Sequence, residues 1–205
     1  RGAELPPPTR PSRASGRSRA STVRVAVVDT GCDTSSPDLT GQVEAQRDLI
    51  EFRHTLEGAC AYYAAQRATA PDRERLKAAF ERVQDCYLQQ GRVSRVEEGR
   101  ADALFHLAIA EASHNAVLLH TIRSLFELLE HNVVTNIGGM LPLGSAVRDR
   151  LLAQHEALYR AIVEGRADDA RRLASEHMDY VQEVLNDNRD EIERIERAQR
   201  RREPV

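Results

Sequence analysis

The chain has no tryptophan, and aromatic residues make up only 4% of its 205 positions. A core must therefore be aliphatic, and the 41% hydrophobic fraction, mainly Leu, Ala, Ile and Val, is enough to build one. Lysine is nearly missing. Lys77 is the single one among 29 basic residues, a habit of GC-rich coding sequence to which no function attaches. Cysteine is scarce and odd in number (Cys32, Cys60, Cys86), with no C-x-x-C pair. That argues against a disulfide framework and fits a reducing compartment. No apolar run approaches the roughly 20 residues that span a bilayer, and the start of the chain lacks the apolar segment of a signal peptide. A cytoplasmic protein without a membrane partner is expected. A net charge of −3 offers no global field toward nucleic acid.

What is present falls into two unlike parts, with the change near residue 42. Residues 1–41 are rich in Pro, Ser, Thr, Arg and Gly, and residues 1–24 alone hold six Arg against one acid, Glu4. The run "TRPSRASGRSRAS" cannot offset its own ordering by burial. Only "TVRVAVVD" reads as a strand, and a lone strand without a partner does not make a stable sheet. From residue 42 to 200 the pattern is helical, with helices predicted at about 43–68, 71–90, 93–113, 115–137, 145–164 and 167–199. Pro71 suits a first turn, Gly91 and Gly165 suit C′ positions, and Asn115 and Ser145 suit caps. Asp168 and Asp169 sit in a first turn, where the helix dipole favours them. The expected fold is all-α, an antiparallel bundle of six to seven helices. Its charged end, "NDNRDEIERIERAQRRRE", is expected to be a solvated tail.

The stretch "VRVAVVDTGCDTSSPDL" resembles the segment around the catalytic Asp of subtilisin-like serine proteases, which would make Asp29 the orienting carboxylate. A triad also needs a base and a nucleophile. The His-Gly-Thr and Gly-Thr-Ser contexts that carry them are absent, and the chain turns helical within fifteen residues. Asp29 reads as a turn residue closing a short strand.

The informative residues are polar groups on apolar helical faces. His155 has Leu151, Leu152, Leu158, Tyr159 and Ile162 at helical spacing, and His177 has Leu173, Ala174, Tyr180, Val181 and Val184. Asp102 and His106 lie four apart on one face, which Ile109 continues inward. Singly, each histidine reads as a core group satisfied by a hydrogen bond, and Asp102–His106 as a surface ion pair. Together, one carboxylate and three imidazoles from three helices form a set that suits a divalent metal, zinc ahead of nickel or manganese. Spacing leaves both readings open. His54, His114, His120 and His131 read as solvated or capping groups. Arg53 lies on the stripe Leu49, Leu56, Cys60, where a guanidinium needs an anion. Glu57, four residues on, is one partner, and a ligand carboxylate held in the interior is the other. Asn132 and Asn136 are candidate polar contacts for the same ligand, or exposed helix-end residues.

The segments "DLIEFRHTLEGACAYYAA", "ALFHLAIAEASHNAVLLHTIRSLF" and "AQHEALYRAIVEGRADDARRLASEHMDYVQEVL" resemble the FCD ligand-sensing domain of GntR-family transcriptional regulators, in the branch responding to pyruvate, lactate or glycolate. The resemblance covers about residues 46–190. It implies a helical bundle that dimerises, a divalent metal held by Asp102, His106, His155 and His177, and a small organic acid bound beside it with help from Arg53. It implies regulation of DNA binding and no enzyme activity. The alternative is a helical metalloenzyme acting on a small carboxylate, in which the metal would activate water.

Such regulators carry a winged helix-turn-helix before this domain. "RGAELPP" resembles its start, and the sequence that follows does not. One codon choice for "TRPSRASGRS", shifted by one base, reads Arg-Asp-Leu-Arg-Glu-Arg-Leu-Gly-Val, close to the family pattern. Residues 1–41 thus read either as a DNA-binding domain garbled by a frameshift or as a natural Arg-rich arm. Operator DNA is an expected partner only where that domain is intact.

Overall fold

In the computed structural model, residues 39–89, 93–137 and 144–201 are described. The predicted strand, Asp29, Gly91 and both readings of residues 1–41 concern positions largely or wholly outside that set. The described residues form six helices and no strand: α1 (Leu39–Arg67), α2 (Ala70–Leu88), α3 (Arg95–Ala112), α4 (Ala116–Ile137), α5 (Ser145–Val163) and α6 (Ala167–Arg200). They belong to the unit Asp38–Val205. None of these helices is long and apolar enough to cross a membrane.

The boundaries follow local chemistry. Ser94 caps α3 in a capping box: its side chain accepts from the Glu97 backbone N–H, and Glu97 Oε2 accepts from the Ser94 N–H at 3.0 Å. Asn115 starts α4, its Oδ1 accepting from the N–H groups of Val117 and Leu118. α5 begins one residue earlier than expected at its cap, which is Gly144, so Ser145 is the first helical residue. Gly165 closes α5 at φ +74°. There the Arg166 N–H reaches Ala161 O at 2.9 Å and the Gly165 N–H reaches Ile162 O at 3.1 Å, the two bonds of a Schellman motif.

Packing follows chain order only in part: α2 and α3, α3 and α4, and α5 and α6 pair as neighbours. α1 lies chiefly on α6 and also touches α3, α4 and α5, while α2 lies on α3 and α5. Small side chains permit the close approach: Ala61, Ala64, Ala101, Ala110, Ala161, Ala170 and Ala174 are all buried. Three of the aromatics pack together. Phe80 stacks on Tyr159 at 5.0 Å, and Phe105 joins them from α3 at 6.1 Å from Phe80. This aromatic plug backs directly onto polar groups, because Phe105 meets His155 edge-on at 5.4 Å. The end of α6 stays helical to Arg200 and is largely exposed, with Ile195 facing solvent.

Candidate metal centre

Each candidate ligand sits on the inward stripe of its helix. On α5 the buried positions are Leu151, His155, Leu158, Ala161 and Ile162. On α6, His177 follows Ala170 and Ala174 and precedes Met178, all buried. On α3, His106 lies beside Phe105 and Ile109 in the core. Asp102 is one turn back, with 26% of its side chain exposed. The fold brings Asp102, His106, His155 and His177 together so that one ligand atom from each lies within 4.8 Å of the others. The rings of His155 and His177 are 4.4 Å apart, and those of His106 and His177 are 5.3 Å apart.

Hydrogen bonding within the protein leaves this cluster unfilled. His106 Nε2, His177 Nε2 and both ring nitrogens of His155 are buried without a hydrogen-bond partner. His155 Nε2 does stand 3.0 Å from Asp102 Oδ1, out of line for a good bond. A buried polar atom left unsatisfied costs about 1–3 kcal/mol, so several at one point call for a further group. The outer nitrogens face polar side chains. His106 Nδ1 meets Glu57 Oε2 at 2.8 Å, and His177 Nδ1 meets Gln154 Oε1 at 3.3 Å. With each Nδ1 facing an outer oxygen, Nε2 is the atom left for the cluster, as in metal-binding histidines. Three imidazoles and a carboxylate with free nitrogens fit a divalent cation.

The charges fit as well. Burial works against the Asp102 carboxylate, but the close approach of His155 and the charges of His106 and Arg53 hold its pKa far below the ordinary range. Burial and the neighbouring imidazoles His155 and His106 push His177 well below its usual value, so its ring is neutral.

Arg53 is buried on α1, and its Nε pairs with Glu57 Oε1 at 2.6 Å. Glu57 is thus shared by Arg53 and His106. Burial opposes its charge, yet Arg53 and the contact from His106 hold its pKa at about 2. The sequence named Glu57 as a partner of Arg53 but missed its contact with His106, which no spacing on α1 encodes. Arg53 Nη2 remains buried and without a partner, while its guanidinium lies 5.7 Å from the Phe126 ring of α4. Asn132 and Asn136 fall on the last turns of α4, and their side chains lie outside the described residues. Of the remaining histidines, His54 pairs with Asp179 at 3.2 Å, and His114 meets the buried carboxylate of Asp72 at 2.7 Å.

The FCD domain matches residues 48–180, most of the helical bundle, so the chain belongs to the FCD family of GntR-type transcriptional regulators. Its relatives are regulators, not enzymes, which sets aside the metalloenzyme alternative. The chain is 37% identical over 140 residues to the protein named as regulator of the L-lactate dehydrogenase operon in Escherichia coli K12, covering 67% of this chain and 50% of that protein. It is 32% identical over 142 residues to the Glc operon transcriptional activator of the same strain, covering 68% and 55%. It is 30% identical over 145 residues to the regulator LutR of Bacillus subtilis 168, covering 70% and 63%. The chain thus spans about half the length of the first two. Among solved structures, E. coli McbR/YncC shares the fold at a TM-score of 0.57 and 18% identity, over 70% of this chain and 69% of that one.

Proposed function

We propose that residues 42–200 sense a small organic acid bound at a divalent metal, and that this binding sets the DNA affinity of a homodimeric regulator. Asp102, His106, His155 and His177 would hold the metal, with zinc preferred over nickel or manganese for a three-nitrogen, one-oxygen set. The metal would supply a Lewis-acidic anchor for the acid's oxygen. Arg53 would hold the carboxylate, and Asn132 and Asn136, from the helix that carries Phe126, would add polar contacts. Pyruvate, lactate and glycolate are the candidate acids, in keeping with the lactate and Glc operons named for two relatives. Residues 1–41 are assigned to a separate segment. Operator DNA is a partner where an intact DNA-binding domain is joined to the bundle.

The observation that carries this reading is the coincidence of buried, unfilled groups: three histidine rings and Arg53 Nη2, all in the neighbourhood of one carboxylate. A sensor needs no more than binding that differs between two arrangements of the dimer. Calorimetric titration of the zinc-loaded protein with the three acids tests it. Binding of at least one acid is expected, weakened roughly tenfold or more in Arg53→Met by the lost charged hydrogen bond, while zinc stays bound. Equal binding by the variant would remove Arg53 from the site.

A further inference from the structure

The four candidate ligands come from α3, α5 and α6, and α1 supplies none of them. Yet α1 reaches the cluster through one side chain. Glu57 is 4% exposed, and its Oε2 stands 2.8 Å from His106 Nδ1. That oxygen lies out of line for a hydrogen bond to the ring and has no other partner. The second oxygen, Oε1, accepts the Arg53 Nε–H at 2.6 Å. Pairing with Arg53 thus occupies one oxygen of the carboxylate and leaves the other beside the ring, where a small turn of the imidazole completes the bond.

The three histidines differ on their outer side. His106 faces a carboxylate, His177 faces the amide oxygen of Gln154 at 3.3 Å, and His155 Nδ1 has no partner. Both oxygens favour the tautomer with hydrogen on Nδ1 and the lone pair on Nε2. Only the carboxylate adds charge. A negative oxygen behind the ring raises the basicity of the nitrogen that meets a cation, which an amide does far less.

On the reading of the metal site given above, we propose that Glu57 is a positioning residue for the metal: it holds His106 with Nε2 toward the cluster and strengthens that nitrogen as a ligand. α1 then takes part in metal binding without supplying a ligand, through its contact with α3.

Zinc affinity, read by competition with a chromophoric chelator, tests the assignment. Arg53→Met/Glu57→Leu removes the ion pair as a unit, which buried pairs tolerate better than the loss of one partner. Its zinc affinity is expected to fall roughly 10- to 100-fold below that of the wild type. Arg53→Met/Glu57→Gln restores an acceptor oxygen without its charge, and its affinity is expected to lie between the two. If Glu57 served only as the counter-ion of Arg53, both double variants would bind zinc as the wild type does, and that result overturns the assignment. Should the Leu variant not fold, judged by circular dichroism, the Gln variant decides by the same comparison. A wild type that binds no zinc overturns the metal reading and this assignment with it.

Discussion

Asp72 shows how one side chain can fix a junction of several elements. It is buried at the start of α2, where its carboxylate accepts from the Thr69 N–H at 2.8 Å, from the Thr69 hydroxyl, from Arg75, and from His114 in the α3–α4 turn. Burial alone would raise its pKa, but the hydrogen bonds from Thr69 and His114 bring it down to about 2. The unfolded carboxyl titrates near 3.9. The stabilisation is therefore fully present above about pH 4 and is lost as pH falls toward 2. Asp72→Asn is expected to cost about 1–3 kcal/mol at neutral pH, and to flatten the fall in stability between pH 4 and 2, measured by urea unfolding. An unchanged slope would show that Asp72 does not set it. At this scale the sequence was readable where a polar residue interrupts an apolar stripe. His155, His177 and His106 stand out against their aliphatic neighbours at spacings of three and four. Asp72 and the second contact of Glu57 did not stand out, because each is defined by a partner on another helix. The sequence placed His114 at a helix end as a capping or solvated group and did not pair it with Asp72. Its φ of +50° is a left-handed conformation uncommon outside glycine.

At the scale of elements, boundaries were legible where a single residue type is required. Gly165 was expected at a C′ position, and its φ of +74° with the Schellman bonds bears this out. Gly165→Ala puts a Cβ into a left-handed conformation, at a cost of about 1–2 kcal/mol, readable as a lowered thermal midpoint. No loss of stability would mean that the turn relaxes into another conformation. Helix capping explains the smaller misses. The S-x-x-E pattern at Ser94–Glu97 sets the start of α3 two residues later than apolar periodicity alone suggests. Periodicity cannot say which helices touch. α2 and α3, α3 and α4, and α5 and α6 pack as chain neighbours, but α1 rests chiefly on α6, the helix farthest from it in the chain. That pairing places Arg53 and Glu57 near ligands carried by α3, α5 and α6.

At the scale of the whole molecule, the cluster is where three helices meet, so its occupation is coupled to the stability of the bundle. A ligand that binds only the folded chain adds about 2.7 kcal/mol at a hundred times its dissociation constant. Metal loading should therefore raise the thermal midpoint, and a chelator should reverse the rise. The measurement that tests the account most directly is the metal content of the purified protein, wild type beside His155→Ala, by elemental analysis after dialysis without chelator. Close to one divalent transition metal per chain is expected in the wild type and little in the variant. No metal in either protein, even after zinc or nickel is added, would contradict it and leave the buried histidines without the group that their free nitrogens require.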